Sequence, residues 1–146
     1  MTLLRFLQLF LDINFYRSDE YWQGPEIAHK FHYGFGFLSW EWTIDDPIRN
    51  PLFQFYLQLG YAICDNLKCS DYFKEITPKI MMFLLNVPLN WFMIKIAKYY
   101  SKNITPGFCF ILMTNFYLFG TTNRFLINSV ETILTTIAFY FWLTRR

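Results

Sequence analysis

Three long apolar stretches, at about residues 77–97, 106–122 and 124–143, crowd the second half of this 146-residue chain. A water-soluble domain of that length has one modest core, and its high surface-to-volume ratio leaves little room to bury such runs. The whole chain is 54% apolar and 23% aromatic, with 18 Phe and 10 Tyr. Facing lipid resolves the conflict, so the sequence predicts an all-α, polytopic membrane protein. A net charge of +2 is too small to point to nucleic acid, and no basic patch with base-stacking spacing is present.

Residues 2–16 are apolar but shorter than the roughly 20 residues of a full crossing. Arg5 interrupts the run Leu3 to Phe10 and no small-residue cleavage site follows, which fits a retained first membrane helix or signal anchor. Residues 17–50 break the pattern with Asp19, Glu20, Glu26, Glu41, Asp45 and Asp46, together with Gly24, Pro25, Gly34, Gly36 and Pro47. They read as an organised polar loop. Residues 51–64 are apolar and aromatic but carry Gln54 and Gln58, which suits a helix lying in the membrane interface with Tyr56 and Tyr61 at headgroup level. Residues 65–75 are polar again. The expected architecture is one membrane domain over 1–146, with about four crossings (2–16, 77–97, 106–122, 124–143) and luminal juxtamembrane helices.

Charge gives the orientation. Lys95, Lys98 and Lys102 crowd one connection, and Arg145 and Arg146 lie two crossings later, hence on the same side. Positive residues collect in the cytosol. Residues 17–76 then face the lumen, with 51–64 on the luminal surface; counting that segment as a crossing would put a polar stretch or the lysine cluster on the wrong side. Asn103-Ile104-Thr105 reads as a glycosylation acceptor, but this topology leaves it cytosolic and unmodified. Cys64, Cys69 and Cys109 are an odd number without metal-type spacing. A Cys64–Cys69 disulfide stays open, and free buried thiols are the expectation.

Two places carry candidate chemistry. Asp19 and Glu20 sit directly after the first apolar run, at headgroup level, either as solvated first-turn carboxylates or as catalytic ones. Glu26, His29 and His32 recur every third residue, but such ligands drift around a helix that Gly34 soon ends, and no zinc-type signature matches; no metal is expected. Trp40-Glu41-Trp42 suits sugar stacking or an aromatic belt. In the last apolar stretch Arg124, Asn128 and Glu131 fall at i, i+4 and i+7, so they share one helix face, which Thr135 extends. Ionisable groups inside a membrane segment usually mark a functional interior; the competing reading is a structural Arg124–Glu131 pair or a snorkelling arginine.

The run Asp19-Glu20-Tyr21-Trp22-Gln23, then Glu26, Ala28 and His29, Gly34-Phe35-Gly36, Trp40-Glu41-Trp42 and Ile48-Arg49, resembles the first luminal loop of the glycosyltransferase family 22 mannosyltransferases, which use dolichyl-phosphate-mannose. Arg124-Phe125-Leu126-Ile127-Asn128-Ser129-Val130-Glu131 is similar to a second segment of that family, in the same order and spacing. Trp22-Gln23 and Trp40-Glu41-Trp42 are most like the branch that adds the third mannose of the GPI core. Departures are Ser18 for proline, Ser39 for threonine, Asn50 for serine, and Gly24-Pro25, which resembles the branch adding a fourth mannose. The resemblance covers nearly all of this chain and only the N-terminal portion of the family.

The resemblance implies a GT-C fold in the endoplasmic-reticulum membrane, with the catalytic loop luminal. It implies inverting transfer of mannose in α-1,2 linkage onto a GPI glycolipid, or as second choice onto an asparagine-linked glycan precursor. Inversion in one displacement needs a base and a group to stabilise the departing phosphate. Asp19 is the expected base and Glu20 its helper. Arg124 is expected to neutralise the donor phosphate and Glu131 to hold Arg124. Asn128, Gln23, Glu26, His29, Trp40, Glu41, Trp42 and Arg49 complete the expected substrate contacts. No cofactor is expected, because an arginine can serve the phosphate. The alternatives are a truncated, non-catalytic paralogue that binds dolichol-linked lipid or a membrane partner, and a small structural membrane subunit.

Overall fold

The computed structural model describes residue 6 and residues 18–43, 48–115 and 127–145. All regular structure among them is helical, as expected: α1 Ser18–Gln23, α2 Pro25–Tyr33, α3 Trp40–Thr43, α4 Leu52–Asn66, α5 Asp71–Tyr100, α6 Thr105–Thr114 and α7 Ile127–Thr144. The chain divides into two compact units, Asp12–Met81 and Met1–Leu11 with Met82–Arg146.

In the first unit, α2 starts at Pro25, where a missing N–H costs nothing because the first amides of a helix have no intrahelical partner. Glu26 in its first turn complements the positive end of the helix dipole. Gly34 ends it in a left-handed cap (φ +81°), its N–H donating to the Lys30 carbonyl at 3.0 Å. α2 packs on α4. Ile27, Ala28 and Leu57 are wholly buried, and Phe53, Gln54, Gly60, Tyr61 and Cys64 form the inward face of α4. Leu52, Phe55, Leu59 and Ile63 stand exposed on its opposite face at near-helical spacing. Apolar on both faces, α4 matches the expected segment 51–64 within two residues.

α4 meets the first turns of α5 through a close approach at Gly60. A Cβ there would lie 2.6 Å from Met81 Cγ and 2.9 Å from Thr77 Cγ2. Nearby, the Tyr56 hydroxyl donates to the Met81 carbonyl at 2.8 Å. Gly60→Ala is expected to push the two helices apart and destabilise the protein by about 1–3 kcal/mol, the usual cost of overpacking. Thermal unfolding in detergent checks this; an unchanged midpoint would contradict the packing.

α5 is a single 30-residue helix and, among the described residues, the one helix long and apolar enough to cross a membrane. It contains the expected 77–97 stretch but begins six residues earlier, because Ser70 starts it: the Phe73 and Lys74 amides both donate to the Ser70 carbonyl. In the second unit, Phe92 of α5 packs against Tyr140 and Phe141 of α7, with ring centroids 5.1 and 5.7 Å apart. The Lys95 ammonium lies over Trp91, Phe92 and Tyr140 at 5.2–5.7 Å, so the aromatic surface spreads its charge. Of the other expected crossings, α6 gives ten described residues and α7 eighteen. The stretch 2–16 lies outside the described residues apart from Phe6.

Candidate functional site

The acidic loop folds around buried carboxylates. Asp19 lies on α1, its side chain outside the described residues. Glu20 beside it is 1% exposed. Taking a carboxylate out of water is costly unless its oxygens are served, so Glu20 is not the solvated helix-start carboxylate that the sequence also allows.

Glu26 is also buried, at 8% exposure, and two groups hold it. Its Oε1 accepts the Phe37 amide at 3.0 Å. The Tyr21 hydroxyl donates to the same carboxylate, a bond that with partial burial pushes the phenol up to about 12. Gly36 makes the approach feasible: its φ is +128°, and a Cβ would come within 2.8 Å of Glu26 Oε1. Glu26 therefore shapes the 34–37 turn from the inside. Gln23 contributes its backbone carbonyl, which accepts Gln54 Nε2 at 2.8 Å.

His29 sits among Tyr33, Phe35 and Tyr61 rings at 4.7–6.0 Å. Its Nδ1 lies 3.3 Å from the Phe35 carbonyl, which only accepts. The proton is therefore on Nδ1, and in the neutral ring Nε2 offers a lone pair. Trp40 is exposed, while Trp42 packs edge-on against Phe31 at 5.4 Å. Between them Glu41 takes Arg49 in a two-pronged pair, Nε to Oε2 at 2.5 Å and Nη2 to Oε1 at 2.9 Å. Such fork-to-fork geometry is the strongest form of the interaction. Two residues expected to touch substrate thus bind each other.

One cluster escaped the sequence reading. Asp65, in the last turn of α4, accepts His32 Nε2 at 2.8 Å, Lys74 Nζ at 3.1 Å and the Tyr33 hydroxyl at 3.2 Å. It ties α2, α4 and α5 together. The hydrogen bond from His32 leads the causes that hold the Asp65 carboxyl below its ordinary value of 3.8. A depressed carboxyl stabilises the fold above its unfolded value, and that contribution is lost as pH falls through the folded value. The stability difference between the protein and Asp65→Asn should therefore be full near neutrality and shrink below about pH 4. Unfolding midpoints across pH check this; a constant difference would contradict it. Glu26, His29 and His32 turn to separate partners, and among the described residues no group of three metal-ligand side chains converges.

In the second unit, Glu131 lines a cavity of about 450 Å³ with Thr132, Thr135, Phe108 and Met93. The Asn128 carbonyl accepts the Thr132 hydroxyl at 2.8 Å. Arg124 lies outside the described residues.

The model of the Alg9-like mannosyltransferase family matches this chain along residues 1–146. The chain belongs to that family. It is 33% identical over 134 residues to GPI mannosyltransferase 3 of Schizosaccharomyces pombe, covering 88% of this chain and 26% of that protein. Over 132 residues it is 29% identical to mannosyltransferase APTG1 of Arabidopsis thaliana, covering 88% of this chain and 23% of that one. GPI alpha-1,2-mannosyltransferase 3 of Danio rerio is 26% identical over 144 residues, or 97% and 26% of the two chains. The chain spans about a quarter of the length of the curated relatives it matches. No solved structure matches it.

Proposed function

We propose that the protein is a glycosyltransferase of the endoplasmic-reticulum membrane that moves mannose from dolichyl-phosphate-mannose onto a GPI-anchor precursor. The observation that carries this reading is the family match along the whole chain, joined by relatives named as GPI mannosyltransferases. The reaction is an inverting displacement that leaves an α-1,2 linkage. Asp19 takes the proton of the acceptor hydroxyl and Glu20, held buried next to it, supports that carboxylate. Arg124 neutralises the phosphate leaving group, Glu131 orients Arg124, and Asn128 joins them as a substrate contact. His29 Nε2 and Gln23 orient sugar hydroxyls, and exposed Trp40 stacks on sugar or lipid. Glu26, Glu41, Arg49 and Trp42 act by holding the loop that presents them.

The reading includes about four crossings with residues 17–76 in the lumen. There α4 lies on the bilayer surface with Leu52, Phe55, Leu59 and Ile63 turned into it, since a helix apolar on both faces needs a second apolar medium. Complementation of cells lacking the third GPI mannosyltransferase tests the function. Return of GPI-anchored proteins to the cell surface supports it. Donor-lipid binding that depends on Arg124, with no transfer, would instead favour a non-catalytic lipid-binding paralogue.

A further inference from the structure

The end of α4 is a complete Schellman cap. The Cys69 amide donates to the Cys64 carbonyl and the Lys68 amide to the Asp65 carbonyl, both at 3.0 Å. Lys68, between them, is left-handed at φ +52°. This cap characteristically brings the side chains at its two ends together, and here both ends are cysteines. The Cys69 thiol is hydrogen-bonded to Cys64, and that bond, with burial, raises its pKa. Cys64 is buried and Cys69 partly accessible. Asp65, which gathers His32, Tyr33 and Lys74, follows Cys64 directly.

We propose that Cys64 and Cys69 are a redox-active dithiol whose oxidation locks the α4 cap and, with it, the Asp65 cluster. The co-reactant is a disulfide, either of a thiol oxidoreductase or of glutathione. The accessible Cys69 thiolate attacks one sulfur of that disulfide and expels the first thiolate. Cys64 then attacks the Cys69 sulfur of the mixed disulfide, forming Cys64–Cys69 and expelling the second thiolate. The two cysteine protons pass to the two departing thiolates, so two thiols are oxidised and one disulfide reduced. A left-handed Lys68 is strained relative to glycine, and a covalent bridge across the cap holds it there. Because the raised Cys69 thiol ionises late, exchange quickens as pH rises.

The bridge does not require the luminal placement of residues 17–76, but its formation in the cell rests on that reading, so the test has two arms. Purified full-length protein is equilibrated in buffers of graded reduced and oxidised glutathione, acid-quenched, alkylated and cut with trypsin. Cleavage after Lys68 separates the two cysteines, so a bridge keeps the two peptides linked. The linked pair is expected to replace alkylated Cys64 and Cys69 as the buffer becomes oxidising, while Cys64→Ser leaves Cys69 as a glutathione adduct. Glutathione on Cys69 of the unsubstituted protein with no linked pair at any ratio would overturn the proposal. The same digest on alkylated intact microsomes reads the cellular state. A linked pair there supports both the bridge and the lumen; free thiols there, with linkage in vitro, leave the bridge standing and show that the cell holds the pair reduced.

Discussion

Asp19→Asn is expected to lower mannose transfer by about 10²–10⁴-fold, the usual contribution of a general base, without lowering the amount of folded protein. The amide keeps the size and most of the polarity of the carboxylate but cannot take the acceptor proton. Asp19 lies on α1, beside Glu20, which is buried to 1% exposure. Glu20→Gln discriminates the two roles. As the supporting group, Glu20 should cost less in transfer than Asp19, and because it is buried part of its effect should appear as lost stability. The measurement is transfer in microsomes, normalised to protein level. Wild-type transfer by Asp19→Asn with loss in Glu20→Gln would reverse the assignment.

Gly36→Ala is expected to destabilise the protein by about 2–6 kcal/mol and to lower transfer with it. One part is backbone strain: an L side chain at φ +128° is held in a region it rarely visits, at about 1–3 kcal/mol. The other part is displacement. The new Cβ would meet Glu26 Oε1 at 2.8 Å, and that oxygen cannot retreat without loosening the Phe37 amide bond. The buried carboxylate would then lose a partner, which adds roughly 1–3 kcal/mol. Gly34→Ala provides the comparison: its φ of +81° carries strain, yet nothing lies within 4 Å of the added Cβ. Gly36→Ala should therefore be the more damaging of the two in thermal unfolding. Equal effects would show that only the backbone, and not Glu26, sets the requirement.

The local rules were legible and the long-range pairings were not. The Gly24-Pro25 step and Gly34 bracket α2 because proline and glycine act on their own backbone. The 51–64 segment reads as a helix because its apolar and aromatic residues run unbroken, and it forms α4. α5 starts six residues ahead of its apolar stretch, since Asp71, Lys74 and Glu75 carry no apolar pattern while the Ser70 carbonyl accepts the first helical amides. Asp65 gave no signal, because its partner His32 is 33 residues away and no periodicity connects them. Glu41 and Arg49 enter as substrate contacts through the family resemblance; that they satisfy one another is a pairing across eight residues that no periodicity announces. Carboxylates at 20 and 26 are visible as chemistry in the sequence, but their burial, which separates a held group from a solvated one, belongs to the packing of α1 on α2 and of α2 on α4.

The most direct test of the account is transfer of radiolabelled mannose from dolichyl-phosphate-mannose to GPI lipid in microsomes whose own third GPI mannosyltransferase has been removed. The expected result is a labelled GPI lipid that appears with this protein, releases its mannose to an α-1,2-specific mannosidase and disappears with Asp19→Asn. Label that appears equally with Asp19→Asn, or no label with the folded protein present in the membrane, would contradict it.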